Sequence, residues 1–132
     1  MKILLEERGM NKNKVLIVDD EPNVCQFLSD FLNFKGFDTQ VVHSGIEALK
    51  NLDQDTYDII LLDLIMPDMN GLETLEKMNQ KNIETPVIIV TGLKDKKVAD
   101  DAMNLGAVDF ISKPIDLDRL EQSLIVNIKN LY

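Results

Sequence analysis

The chain has 132 residues, 45% hydrophobic and 28% charged, the size of one domain able to bury a core without disulfides. Its formal net charge of −9, from 23 acidic against 14 basic side chains, repels a phosphate backbone and argues against direct nucleic-acid binding. No run approaches the roughly 20 apolar residues of a membrane helix, the start MKILLEERG is too short and acidic for a secretory signal, and the single cysteine, Cys25, fits a reducing cytoplasm.

Residues 1–12 read as a charged N-terminal extension and residues 13–132 as one domain. Glu6-Glu7-Arg8-Gly9 can be encoded by a purine-rich stretch resembling a ribosome-binding site, so Met10 is the expected natural start. Val15-Leu16-Ile17-Val18 is a continuous apolar run, the pattern of a strand buried on both faces. It ends in Asp19-Asp20, and Pro22 stands where a first helical turn tolerates it. Val24, Phe27, Leu28, Phe31 and Leu32 then recur at helical spacing up to Gly36. Thr39 to Val42 predicts a short strand, and Ser44 with Glu47 has capping-box spacing for a helix to about Leu52.

Ile59 to Leu62 is a third strand ending in Asp63. Met66-Pro67-Asp68-Met69-Asn70-Gly71 is turn chemistry, and a helix from about Leu72 to Asn82 follows. Pro86 opens a strand over Val87–Val90 that ends at Thr91. A weakly patterned helix from about Lys94 to Leu105 stops at Gly106. Val108 to Ser112 predicts the fifth strand, closed by Lys113-Pro114. A last helix capped by Asp116 presents Leu117, Leu120, Leu124, Ile128 and Leu131 on one side.

Strict alternation of strands and helices implies an α/β fold, a five-stranded parallel sheet covered on both faces. Ligands in such sheets sit beyond the carboxyl ends of the strands. Those ends carry Asp19, Asp20, Asp63, Thr91 and Lys113, so three carboxylates, a hydroxyl and an ammonium share one crevice. Two like charges about 4 Å apart repel by roughly 4 kcal/mol at an effective dielectric near 20. A hard divalent cation relieves that cost, and few oxygen ligands with room for water favour Mg²⁺ over Ca²⁺. The set suits phosphoryl transfer to a carboxylate nucleophile, in which positioning and neutralisation supply most of catalysis.

Lys-Val-Leu-Ile-Val-Asp-Asp-Glu-Pro (14–22), Asp-Ile-Ile-Leu-Leu-Asp-Leu-Ile-Met-Pro-Asp-Met-Asn-Gly (58–71), Val-Thr-Gly (90–92) and Phe-Ile-Ser-Lys-Pro (110–114) resemble the receiver domain of two-component response regulators. The resemblance covers residues 13–131 and implies a doubly wound, flavodoxin-like (βα)5 fold with strand order 2-1-3-4-5. It implies that Asp63 is phosphorylated by a sensor histidine kinase or histidine phosphotransfer protein. Asp19, Asp20, Asp63 and the Ile65 backbone carbonyl would hold Mg²⁺, with Mn²⁺ as a substitute. Thr91 and Phe110 would be a switch pair, Lys113 would contact the phosphoryl group, and the bond before Pro114 would be cis. An unidentified output protein would read the face made by the fourth helix, fifth strand and fifth helix. The expected protein is a cytoplasmic signalling switch, a monomer or weak phosphorylation-dependent dimer, not an enzyme in its own right. It reads first as a stand-alone regulator and second as the receiver portion of a longer one.

Other readings stand beside these. A Mg²⁺-dependent aspartyl-phosphate phosphatase of the haloacid-dehalogenase kind needs a second aspartate two residues after the nucleophile, where this chain has Ile65. A nucleotide switch would need a GxxxxGK[ST] loop. Asp19 and Asp20 have a bland reading as helix caps, Phe110 as packing, His43 as exposed and incidental, and Lys94, Lys96 and Lys97 as a solvated helix end. Ile65 and Leu93, two residues beyond Asp63 and Thr91, are apolar and cannot orient a water, which predicts a long-lived phosphoryl state.

Overall fold

The computed structural model describes residues 12–132, so the reading of Met10 as the start lies outside the described residues. The elements are β1 (Lys14–Val18), α1 (Pro22–Phe34), β2 (Asp38–Val42), α2 (Gly45–Gln54), β3 (Ile59–Leu62), α3 (Gly71–Gln80), β4 (Val87–Thr91), α4 (Lys96–Asn104), β5 (Asp109–Ser112) and α5 (Leu117–Asn127). All neighbouring strands pair in parallel, and the sheet order is β2-β1-β3-β4-β5, as the resemblance implied.

The continuous apolar runs split by the two-residue period of a strand, in which successive side chains face opposite ways. Val15, Ile17, Ile59, Leu61, Ile88 and Val90 face a core shared with Cys25, Leu28 and Leu32 of α1 and Leu120 and Leu124 of α5. Leu16, Val18, Ile60, Leu62 and Ile89 face a second core with Ala48 of α2, Leu75 and Met78 of α3 and Ala102 of α4. Two helices therefore cover one face and three the other, and the central strands have no solvent-facing side.

The boundaries differ where the capping residue stands away from its expected place. In α1 the buried stripe is Cys25, Leu28 and Leu32, while Phe27 is 49% exposed. Ser44 accepts the Glu47 N–H, but the Glu47 carboxylate takes the N–H of His43 at 2.8 Å, one residue earlier than a capping box requires. The full capping box belongs to α3, between Asn70 and Glu73, where the sequence showed only turn residues. Asp95 caps α4 by accepting from Lys97 N–H, so the helix starts two residues later than expected. Lys96 and Lys97 pair with Asp100 and Asp101 one turn on, which agrees with a solvated helix end. Val108 lies before β5 and Leu131 beyond α5, and both are exposed. No helix among the described residues is long and apolar enough to cross a membrane.

Gly71 shows why the β3–α3 connection takes the path it does. Its N–H donates to the Leu64 carbonyl at 3.0 Å, and a Cβ built there would meet the Asp63 carbonyl oxygen and lie 2.7 Å from Leu64 Cα. Only a residue without a side chain lets the start of α3 come this close to the end of β3.

Candidate functional site

Parallel pairing carries the ladder past the strand ends and fixes the polar residues there. Asp19 N–H donates to Val42 O at 3.1 Å, Asp63 N–H to Val18 O at 2.9 Å, and Lys113 N–H to Thr91 O at 2.8 Å. Asp19, Asp63 and Thr91 are thereby held buried, each residue 3% exposed or less. Asp20, next along the turn, remains accessible. One carboxylate oxygen from each of Asp19, Asp20 and Asp63 falls within 4.8 Å of the other two. The sequence expected this group of three, and the topology brings it together.

Lys113 enters the same crevice from beyond β5. Its Nζ lies 2.8 Å from Asp19 Oδ2, 3.1 Å from Asp63 Oδ2 and 3.1 Å from Glu21 Oε1. Burial works against the ammonium charge, but the hydrogen bond and charge of Asp19 and the charge of Asp63 outweigh it, and the Lys113 pKa rises above its ordinary value. Burial also dominates at Asp19, whose carboxyl is pushed up despite the Lys113 hydrogen bond that opposes the shift. The remaining oxygens are only partly engaged: Asp19 Oδ1 accepts Glu21 N–H at 2.9 Å and Asp63 Oδ1 accepts Ile65 N–H at 3.2 Å. The N-cap of α1 is Glu21, without a side-chain cap bond, so neither aspartate is the N-cap residue of that helix.

The donor set is all oxygen, compact and open to water at Asp20. Such a set fits a hard divalent cation that keeps several of its own waters, as Mg²⁺ does. Thr91 accepts the Leu93 N–H at 3.3 Å on Oγ1, a bond that does not use its hydroxyl hydrogen. Phe110 is half-buried against the second core, in register with Ile89 of β4. The Lys113–Pro114 peptide is cis. Ile65 is 55% exposed beside Asp63, and Leu93 packs partly buried against the second core.

Three residues here went unremarked in the sequence or were read as incidental. Glu21 joins the Lys113 cluster. Cys25 Sγ and His43 Nδ1 both contact the main-chain carbonyl of Asp19, at 3.2 and 3.0 Å. Register was the available signal for His43, because pairing of Val18 with Val42 puts the residue after one beside the residue after the other.

Comparison with known proteins agrees with the geometry. Residues 15–125 match the family described as the response regulator receiver domain. The regulatory protein AtoC of Escherichia coli K12 is 39% identical over 108 residues, which are 82% of this chain and 23% of AtoC. The response regulator ArlR of Staphylococcus saprophyticus is 38% identical over 107 residues, 81% of this chain and 48% of ArlR. The chain thus spans about a quarter to a half of the curated relatives it matches. The solved receiver domain of the Francisella response regulator 1452 superposes with a TM-score of 0.84 at 32% identity, covering 89% of this chain and 98% of that one.

Proposed function

The chain belongs to the response regulator receiver domain family, and from that premise we propose that it takes a phosphoryl group onto Asp63 from a histidine of a sensor kinase or phosphotransfer protein. Receiver domains of response regulators are signalling switches. The observation that carries the reading is the convergence of three aspartate carboxylates and one lysine ammonium on the same crevice.

A carboxylate oxygen of Asp63 forms the bond to phosphorus as the phosphorus–nitrogen bond to the donor imidazole breaks. The imidazole leaves with the electron pair and takes up a proton from solvent. Asp19, Asp20, Asp63 and the Ile65 carbonyl would hold a divalent cation, Mg²⁺ or Mn²⁺. When bound it supplies charge neutralisation on the phosphoryl oxygens. Lys113, already against Asp19 and Asp63, neutralises another oxygen. Thr91 donates its hydroxyl hydrogen, and Phe110 follows as the neighbouring strand end adjusts. An apolar cleft of Val24, Phe27, Pro114 and Ile115 opens beside Lys113 and offers the donor protein a surface at the Lys113 side of the site.

Phosphorylation then biases a two-state equilibrium through contacts made only in the active state. The change leaves through the surface of α4, β5 and α5 to an output partner. A second reading, the receiver portion of a longer regulator, is supported by the relatives that extend well beyond the matched region.

The test is intact-mass measurement after incubation with a small phosphodonor, such as phosphoramidate, in Mg²⁺. One phosphoryl group is expected on the wild type, none in EDTA and none on Asp63→Asn. Phosphoryl uptake by Asp63→Asn at the wild-type rate would overturn the assignment.

A further inference from the structure

We infer that Cys25 and His43 clamp the main-chain carbonyl of Asp19 and so hold the Asp19–Asp20 peptide in the orientation that aims both carboxylates at one cation. The inference rests on the reading that these carboxylates bind a divalent cation. Successive side chains of an extended chain face opposite ways. For Asp19 and Asp20 to serve one site, the peptide between them has to leave the strand geometry and be held there.

The Asp19 N–H is fixed by the last rung to β2, at Val42 O. Its carbonyl, past the end of the ladder, has no strand partner among the described residues and accepts from two side chains instead. The Cys25 thiol reaches it from α1 at 3.2 Å, six residues on, and His43 Nδ1 reaches it from the end of β2 at 3.0 Å. A carbonyl oxygen has two lone pairs, and two donors use both. Each donor comes from a different element, so the carbonyl cannot turn without breaking one of them.

The Cys25–His43 contact has another interpretation, a thiol–imidazole nucleophile pair, which the geometry disfavours. The Sγ–Nδ1 distance is 3.9 Å, long for proton transfer, and both groups lie nearer the Asp19 oxygen than each other. Burial, with the charge of Asp19 adding to it, pushes the thiol up to about 11, whereas reactive cysteines are found with lowered values. Cys25 is buried and His43 exposed. The pair acts through Asp19 as positioning residues.

The experiment is Mg²⁺ titration by calorimetry on the full chain, with the Asp20 amide nitrogen shift in metal-free protein as a second readout. His43 is exposed, so His43→Ala should fold, and thermal unfolding checks that it does. Its Mg²⁺ affinity should fall on the order of ten-fold, the usual scale for losing a residue that orients a metal ligand, with a displaced Asp20 resonance. His43→Asn keeps a donor near the Nδ1 position and should restore both, as Cys25→Ser should relative to Cys25→Ala. Mg²⁺ affinity within about twofold of wild type in His43→Ala and in the His43→Ala/Cys25→Ala double variant, the usual loss being ten-fold or more, would overturn the clamp. A wild type that binds no Mg²⁺ would overturn the cation reading itself and the clamp with it, so the two failures are told apart by the wild-type titration.

Discussion

Hydrolysis of a phosphoryl group on Asp63 would need a water lined up opposite the carboxylate oxygen, and we propose that the side chains flanking that line are Ile65 and Leu93. Their backbone N–H groups are engaged by Asp63 and Thr91, and their side chains have nothing with which to hold a water. Adding polar groups at both positions, as in Ile65→Asn/Leu93→Gln, should shorten the phosphoryl half-life roughly ten-fold, the worth of one or two well-placed hydrogen bonds. Loss of ³²P from labelled protein in Mg²⁺ measures it, and an unchanged half-life would reject the argument. At Gly71 the same site is vulnerable through the backbone. Gly71→Ala presses on Asp63 and Leu64 main chain, which cannot swing aside, so a loss of about 1–3 kcal/mol is expected in urea unfolding. The glycine was visible in the sequence as turn punctuation; its closeness to Asp63 was not, because that is a contact between β3 and α3. Asp19, Asp20, Asp63, Thr91 and Lys113 could be read from strand ends alone. Cys25, His43 and Glu21 could not, since each matters only through an atom that tertiary structure brings to it.

Between elements, a two-pronged ion pair ties β5 to α5. Arg119 grips both oxygens of Asp109 at 2.8 and 2.7 Å, and Ser123 and the Phe110 N–H donate to the same carboxylate. The Arg119 hydrogen bonds, against a burial cost, lower the Asp109 pKa from 3.8 to about 2. A value depressed on folding contributes stability above the unfolded value, and that contribution is lost as pH falls from about 4 through about 2. Discounted for the exposure of Arg119, it is worth about 1 kcal/mol. Asp109→Asn should therefore be less stable than wild type near neutral pH, with the gap closing at about pH 2; a gap independent of pH in urea unfolding would contradict this. The α2–α3 contact is tested by packing. A Cβ on Gly45 would run into Thr74 Oγ1, and Thr74 is fully buried. Gly45→Ala should cost about 1–3 kcal/mol and distinctly less in a Thr74→Ala background, a non-additivity expected for touching residues. Element existence was legible from the periodicities, whereas ends such as the Asn70–Glu73 box and the late start of α4 depended on which of several polar residues won the cap.

At the scale of the molecule, alternation of strands and helices made the parallel sheet and its single polar edge readable, but any order of parallel strands satisfies that alternation. The order 2-1-3-4-5 came from the resemblance, and it is this order that seats β1 between β2 and β3 so that His43, Asp19 and Asp63 adjoin. Lys113 closes the arrangement by joining residues 94 and 50 positions away. Its side chain is 15% exposed between the Asp19 and Asp63 carboxylates, which are 4% and 3% exposed, in a chain of net charge −9. Removing the ammonium leaves two buried carboxylates facing each other, and breaking a buried pair costs on the order of 3 kcal/mol. Lys113→Ala should lose about that much in EDTA. On the proposed function a divalent cation in the same crevice would take over the neutralisation and stabilise the folded state by mass action, so Mg²⁺ should raise the urea midpoint more in Lys113→Ala than in wild type. The variant would then be nearly as stable as wild type at saturating Mg²⁺ yet slow to accept phosphate, since the ammonium is missing from the phosphoryl oxygens. An equal stability deficit with and without Mg²⁺ would mean that Lys113 ties the strand ends together without sharing the cation's role.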